Sequence, residues 1–204
     1  MARRIKLTYF DIKGVAEPIR YLLAYGGVDF EDNRIKREDW PKLKPNTPYG
    51  KMPVLEVDGK VAHQSLAIAR HLARQFKLLG SNDWEALQVD AAVDTISDVR
   101  LAVRDMFFEE DHGLKAKKQQ TLEKETLPFY LPRLDEQVKD NGGHFVGGKL
   151  TWPDIQFAAL HDFLGVMAGK PLTDGYPNLK GLYDKVNALP AIKAWIAKRP
   201  VTEW

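Results

Sequence analysis

A tyrosine near the start of the chain occupies a position suited to anion chemistry. Tyr9 follows the alternating residues Ile5-Lys6-Leu7-Thr8, which predict a half-buried strand. Ligand sites of open α/β sheets lie at the carboxyl ends of strands, so Tyr9 would reach such a cleft. Its hydroxyl could donate a hydrogen bond to an anion there, although a tyrosine in this place more often only packs in a core or an interface.

A second motif offers recognition by the main chain. Tyr49-Gly50-Lys51-Met52-Pro53 leads into an apolar strand-like run. A proline at the entrance to a strand tolerates a cis bond, which would turn the backbone of Met52 outward to pair with an extended peptide. The alternative is an edge-strand proline that merely ends a loop.

The next candidates offer donors for carboxylates. Gln64-Ser65 stands where a hairpin meets a helix, so the Ser65 hydroxyl and the first free N–H groups would point to one carboxylate site. An ordinary serine N-cap is the alternative. Trp40 and Lys44 lie four residues apart in a proline-rich loop and could bind a second carboxylate, although exposed Trp and Lys residues commonly have no such role.

The patterns around these residues predict two domains. Residues 1–77 read as strand, helix, strand, proline-rich loop, hairpin at Asp58-Gly59, and helix capped by Ser65. Later segments follow helical periodicity almost throughout, near 89–106, 114–139, 153–169, 178–189 and 191–198. Thr151 and Asp154 have capping-box spacing, which indicates a folding element and not a site. We therefore predict an α/β domain over 1–79, a linker over 80–84 and an all-helical domain over 85–204.

Composition excludes several classes of function. The 204 residues are 44% hydrophobic and 28% charged, with a net charge of +2 and both signs interspersed, which disfavours nucleic acid as a partner. The basic run Lys115, Lys117 and Lys118 is predicted to be a solvated helix face. The N-terminal residues lack an apolar signal core and no apolar stretch spans a membrane, so we expect a cytoplasmic protein without membrane contact. With no cysteine, any thiol must come from a bound molecule.

In this order, the motifs resemble the cytosolic glutathione transferases, and among them the sigma class. The resemblance covers essentially the whole chain and implies the glutathione transferase fold: a thioredoxin-like α/β domain followed by an all-α helical-bundle domain. The matching motifs are Lys6-Leu7-Thr8-Tyr9-Phe10, Glu17-Pro18-Ile19-Arg20, Asp39-Trp40, Gly50-Lys51-Met52-Pro53-Val54-Leu55, His63-Gln64-Ser65, Val93-Asp94-Thr95-Ile96 and Leu189-Pro190-Ala191-Ile192.

The resemblance implies a role for each candidate in binding glutathione. Tyr9 would be catalytic, donating to the glutathione sulfur and stabilising the thiolate. Met52, before cis-Pro53, would pair with the cysteinyl backbone, and the two carboxylates and the amine would be bound elsewhere. The implied partners are Gln64 and Ser65 for the γ-glutamyl carboxylate, Trp40, Lys44 and Lys51 for the glycyl end, and Asp98 of the partner subunit in a homodimer for the γ-glutamyl amine.

The resemblance also implies a pocket for the electrophile. The implied lining comprises Phe10, Lys13, Val15, Arg104 and Asp105, with Trp204 closing over it. Three positions depart from the prostaglandin synthases of the class. Val15 replaces an arginine that supports the thiolate, Ser97 replaces the first of two adjacent aspartates that bind a divalent ion, and Asp105 replaces a pocket tryptophan. We therefore expect no required metal and greater dependence on Tyr9.

General conjugation of glutathione to apolar electrophiles is the leading functional interpretation. Peroxidase activity toward lipid hydroperoxides is a second reaction of the same thiolate. Two alternatives stay open: a glutathione-dependent prostaglandin-type isomerase, which differs in the electrophile pocket, and a non-catalytic ligand-binding or crystallin-like protein on the same scaffold.

Overall fold

The first part of the chain forms a four-stranded sheet. A computed structural model describes residues 4–202, so the predicted role of Trp204 lies outside the described residues. The strands are β1 Ile5–Phe10, β2 Glu31–Ile35, β3 Val54–Val57 and β4 Lys60–His63. Their order is β2-β1-β3-β4, with β1 parallel to β2 and the other neighbours antiparallel. The weak second strand expected from sequence is therefore present.

The hairpin has the predicted tight turn. Asp58 and Gly59 have φ of 50° and 79°, as a type I′ turn requires at its two central residues. The turn sets the register in which Val57 faces Lys60 and Val54 faces His63. Asp58 also accepts a hydrogen bond from the Arg4 N–H at 2.9 Å.

Three α-helices accompany the sheet. They are α1 Glu17–Tyr25, α2 Trp40–Leu43 and α3 Ser65–Gln75. The proline-rich segment predicted to be a loop is instead a series of short helical turns, at Arg37–Asp39, α2, Lys44–Asn46 and Pro48–Gly50. Prolines are tolerated in the first turn of a helix, where their missing N–H would have no partner, so several prolines here begin turns instead of preventing them.

The rest of the described chain is helical. Its helices are α4 Asp83–Phe107, α5 His112–Thr121, α6 Leu127–Asp140, α7 Trp152–Ala168, α8 Pro177–Asn187 and α9 Pro190–Lys198. A wider π-helical turn, Leu122–Thr126, joins α5 to α6 within the segment that was predicted as one helix. The capping box predicted from Thr151 and Asp154 is formed at the start of α7. Within residues 4–202, no helix is both long and apolar enough to cross a membrane.

Two compact units result, and their bounds differ from the predicted domains at the C-terminus. One unit comprises Met1–Phe76 with Leu189–Trp204, and the other comprises Lys77–Ala188. The helix α9, predicted to belong to the helical domain, groups with the sheet unit, where Trp195 Nε1 donates to Glu17 Oε1 at 2.8 Å. Helix α4 also begins inside the predicted linker, because Asn82 caps it by accepting from the Glu85 N–H at 2.9 Å.

Candidate active site

Tyr9 stands near the end of the inner strand β1. Its neighbour across the parallel ladder is Arg34, and its ring lies 5.7 Å from that of Phe10 in an edge-on arrangement. Only 8% of Tyr9 is exposed. Pairing with β2 thus fixes the backbone of this tyrosine, while most of its surface is enclosed.

The backbone at Gly14 lies close to the Tyr9 hydroxyl. A Cβ at Gly14 would lie 2.8 Å from Tyr9 Oη and 2.8 Å from Cε1, and Gly14 has φ of +49°. Glycine is therefore favoured at this position for two reasons: the backbone is left-handed, and a side chain would collide with the tyrosine. Sequence reasoning assigned no role to Gly14, although a glycine between Lys13 and the start of a helix was the available signal.

The strand register gathers the other motifs at the same end of the sheet. Thr8 pairs with Val54, and Val54 pairs with His63. Tyr9, Pro53 and Gln64 each stand one residue beyond these pairs. Three motifs that are distant in sequence are thus neighbours at one sheet end, as a shared binding site requires.

The Met52–Pro53 bond is cis, as the sequence predicted. Pro53 is buried, Met52 is half-buried and Lys51 is exposed. Met52 makes no backbone hydrogen bond within the described part of the chain, so its N–H and C=O are open to another partner.

Gln64 and Ser65 meet the helix α3 differently from the prediction. Ser65 was expected to cap the helix, but it is the first helical residue, and Gln64 holds the capping position without a side-chain capping bond. Gln64 has φ of 71°, an uncommon conformation for a residue with a side chain. A strained residue at an exposed helix start is typical of a ligand clamp, and the first N–H groups of α3 face the same end.

Trp40 and Lys44 lie on the helical turns that replaced the predicted loop. The Trp40 ring lies 5.6 Å from that of Phe10 at an interplanar angle of 74°, which ties α2 to the end of β1. Lys44 passes close to Gly50, where an added Cβ would lie 3.2 Å from Lys44 Cε. Trp40 is half-buried and Lys44 is exposed, so the ammonium is accessible.

The predicted electrophile residues divide between the two units. In the sheet unit, Phe10, Lys13 and Val15 are half-buried, whereas Arg104 and Asp105 are exposed on α4 of the helical unit. No contact described within either unit tests their assignment to one pocket, so that assignment stays a prediction.

Asp105 takes part in an ion-pair cluster that the sequence did not reveal. Lys118 Nζ lies 3.0 Å from Asp105 Oδ2 and donates to Glu109 Oε2 at 2.7 Å. The hydrogen bond to Glu109, followed by that to Asp105, raises the pKa of Lys118, and the bond from Lys118 lowers the pKa of Glu109. The predicted solvated basic face therefore includes one lysine committed to two carboxylates.

Asp98 and Ser97 differ in exposure on α4. Asp98 is exposed, while Ser97 is 6% exposed and donates to Val93 O at 2.9 Å. Across residues 4–202, no group of three His, Asp or Glu side chains is arranged to hold a metal ion.

Two family profiles match the chain, and the second extends beyond the helical unit to include α9. Residues 5–74 match "Glutathione S-transferase, N-terminal domain", and residues 97–199 match "Glutathione S-transferase, C-terminal domain". A thioredoxin-like sheet domain followed by a helical domain characterises this class. The chain belongs to the glutathione S-transferase family.

Relatives extend over nearly the whole chain. "Glutathione S-transferase S1" of Drosophila melanogaster is 52% identical over 97% of this chain and 79% of its own length. "Hematopoietic prostaglandin D synthase" of Gallus gallus is 45% identical over 97% of both. The solved "Structure of prostaglandin synthase D of Nilaparvata lugens" is 49% identical with a TM-score of 0.93, covering 98% of this chain and all of the other (100%). These similarities fit the sigma-class resemblance.

Proposed function

We propose that this chain is an enzyme that ionises the thiol of bound glutathione and transfers the sulfur to apolar electrophiles. The observation that carries the proposal is the gathering of Tyr9, Met52-Pro53 and Gln64-Ser65 at one end of the sheet. Ionisation releases the thiol proton to water, and the Tyr9 hydroxyl then donates a hydrogen bond to the sulfur anion. The same thiolate would reduce lipid hydroperoxides as a second reaction.

The other candidate residues would bind the parts of glutathione other than its sulfur. The unpaired N–H and C=O of Met52 would pair with the cysteinyl backbone as a strand does. Gln64, Ser65 and the first N–H groups of α3 would hold the γ-glutamyl carboxylate. Trp40, Lys44 and Lys51 would bind the glycyl carboxylate, and Asp98 of the partner subunit would bind the amine.

One hydrogen bond from Tyr9 can supply most of the free energy needed to lower the thiol pKa. A thiol of pKa about 8.5 must be lowered by roughly two units to be mostly ionised near neutral pH, and each unit corresponds to about 1.4 kcal/mol. A hydrogen bond to a charged group contributes about 1.5–3 kcal/mol. Tyr9 can therefore supply most of the shift, and nearby positive charge the rest.

The deciding experiment is an ultraviolet titration of thiolate in the glutathione complex, comparing wild type, Tyr9→Phe and Tyr25→Phe. Tyr25 ends α1 and serves as the matched control for loss of a phenol. We expect Tyr9→Phe to raise the thiol pKa by one to two units, about ten- to hundredfold in thiolate at low pH, and to slow conjugation of an aryl halide in parallel. Tyr25→Phe should change neither.

If wild type binds glutathione with an unshifted thiol pKa and no turnover, the non-catalytic binding-protein alternative replaces this proposal. A prostaglandin-type isomerase is the second candidate, and it is favoured by the relatives that carry the synthase name. Incubation with a prostaglandin endoperoxide, followed by mass spectrometry of the product, separates the two. Isomerised product at a rate above aryl halide conjugation would favour the isomerase.

We also propose a homodimer and a cytoplasmic location. Exposed apolar side chains support an interface: Tyr49, 82% exposed, and Val61 in the sheet unit, with Trp84 and Leu87 on α4. Light scattering of Tyr49→Asp, with Val166→Asp as an equally polar control on α7, should give a smaller mass for the first variant alone. Fractionation of cells that express the full chain tests the location.

A further inference from the structure

A line of ion pairs with a fully buried centre runs through the sheet unit. The Arg20 side chain on α1 has no exposed surface, and its Nε donates to Asp32 Oδ1 at 2.9 Å. Its Nη1 donates to Glu17 Oε2 at 3.0 Å, and Glu17 is also fully buried. Beyond these, Arg199 Nη1 donates to Glu17 Oε1 at 2.8 Å, and Arg34 Nε donates to Asp32 Oδ2 at 2.7 Å. The charges thus alternate from Arg34 to Arg199.

The line joins three guanidinium ions and two carboxylates, and further groups contact it. Asp11 approaches Arg34 at 3.2 Å, but 59% of its side chain is exposed, so water screens its charge. Two neutral groups also contact the line: the Trp195 indole donates to Glu17, and the Tyr21 hydroxyl lies 3.4 Å from Arg199 Nη1.

Arg20 also retains an unused donor. Its Nη2 is buried and has no hydrogen-bond partner among the described residues. A buried cation with an unpaired N–H is costly, so its presence calls for a compensating role.

Arg20 is connected to Tyr9 through hydrogen bonds to the backbone of a segment that packs near the tyrosine. Arg20 Nη1 donates to Ile12 O at 3.0 Å and to Lys13 O at 3.2 Å, which anchors the segment directly before Gly14. Gly14 is the residue whose added Cβ would lie 2.8 Å from the Tyr9 hydroxyl. The Arg20 guanidinium carbon itself lies 6.0 Å from the centre of the Tyr9 ring.

We propose that Arg20 is a positioning residue for Tyr9 whose guanidinium charge also favours the thiolate. The proposal deepens the function proposed above and rests on it. Nη1 holds the backbone against which the tyrosine hydroxyl packs, and the guanidinium, 6.0 Å from the centre of the tyrosine ring, stabilises an anion at the hydroxyl. Asp32 and Glu17 partly neutralise the guanidinium charge and so determine the strength of its effect on the anion. Asp32 is the more accessible of these two carboxylates.

Two substitutions of opposite charge separate this role from a structural one. Arg20→Met removes a cation, and we expect the thiol pKa of bound glutathione to rise by about one unit, a roughly tenfold loss of thiolate at low pH. Asp32→Asn removes an anion that contacts Arg20, and we expect the thiol pKa to fall by about half a unit. Damage to the fold would shift both variants in the same direction.

The assay is the ultraviolet titration of bound glutathione, with the pH profile of kcat/KM and thermal unfolding measured in parallel. Arg20→Lys keeps the charge and loses the forked hydrogen bonds, so it should raise the thiol pKa by less than Arg20→Met does while lowering kcat. If Arg20→Met does not fold, the fall in thiol pKa in Asp32→Asn and the small rise in Arg20→Lys still test the proposal. Equal thiol pKa values in wild type, Arg20→Lys and Asp32→Asn, or a rise in Asp32→Asn, would overturn it.

Tyr9→Phe distinguishes this proposal from the function on which it rests. If Tyr9→Phe leaves the thiol pKa unchanged, the proposed chemistry fails first. If Tyr9→Phe raises the thiol pKa and the charge variants leave it unchanged, only the role of Arg20 is wrong. In the double variant Tyr9→Phe/Arg20→Met, we expect a pKa shift smaller than the sum of the single shifts, because part of the effect of Arg20 passes through Tyr9.

Discussion

Adding one methyl group at Gly14 should disable Tyr9 while leaving the fold in place. In Gly14→Ala, the new Cβ would lie 2.8 Å from Tyr9 Oη and from Cε1, and 3.2 Å from Cζ. Contacts this short require the ring or the backbone to move by several tenths of an ångström. Because the Tyr9 backbone is paired with Arg34 and follows Thr8, which is paired with both β2 and β3, we expect the ring to move and not the strand, which takes the hydroxyl out of its place.

The cost of the substitution has two parts, and a second glycine isolates one of them. An L-residue in the left-handed region costs roughly 1–2 kcal/mol, which applies at Gly14 with φ of +49°. Gly27 has φ of +64° with nothing within 4 Å of an added Cβ. Gly27→Ala therefore carries the backbone cost without the collision.

We expect both alanine variants to lose about 1–2 kcal/mol of stability in urea unfolding, with an additional loss in Gly14→Ala from the collision. Only Gly14→Ala should raise the thiol pKa of bound glutathione, by about one to two units, and lower kcat/KM about ten- to hundredfold below that pKa. Wild-type thiol pKa and kcat/KM in a folded Gly14→Ala protein would refute the reasoning. Equal losses of activity in the two variants would assign the effect to backbone strain instead.

Two further expectations concern the helical unit. Asp154→Ala should cost about 2–4 kcal/mol in urea unfolding, because it strips partners from the buried N–H groups of Thr151 and Phe145, bonded at 2.7 and 2.8 Å. Asp111→Ala, which removes an exposed cap, should cost about 1 kcal/mol; equal losses would contradict the argument from burial. Lys118 lowers the pKa of Glu109, so Glu109 stabilises the fold fully above the ordinary carboxyl pKa, and this contribution is lost as pH falls through the lowered value. Lys118→Met should raise the Glu109 pKa toward its ordinary range in a carbon-detected NMR titration, and an unchanged Glu109 pKa would refute the pairing.

Local signals predicted those parts of the fold whose geometry depends on a few adjacent residues. Asp58-Gly59 forms the expected turn because both residues tolerate positive φ. Thr151 and Asp154 form the expected capping box because their spacing matches one helical turn. The same reasoning was wrong for the prolines, because a proline is compatible both with a loop and with the first turn of a helix. The prolines that predicted a loop begin short helical turns instead.

The helix start at Gln64 shows a different limit. Ser65 has the residue type preferred at a capping position, and its type alone predicted that it would cap α3. The structure places the cap one residue earlier, at Gln64 in a positive-φ conformation. The backbone geometry between β4 and α3 therefore determines the capping position here, and the preference of caps for serine does not. The strained residue is one of those proposed to hold glutathione.

Distant contacts explain why the charged residues of α1 could not be interpreted from sequence. Glu17 and Arg20 are one helical turn apart, a spacing that ordinarily indicates an exposed ion pair. Both are instead fully buried, because Glu17 meets Trp195 and Arg199, which are 178 and 182 residues away in sequence. The same contacts bring α9 into the sheet unit. The cost of burying Glu17 and Arg20 depends on those partners. Because the C-terminal helix supplies Trp195, we infer that it influences the electrostatic effect of Arg20 on Tyr9. Substitutions in that helix should therefore change the thiol pKa of bound glutathione as well as the stability of the protein.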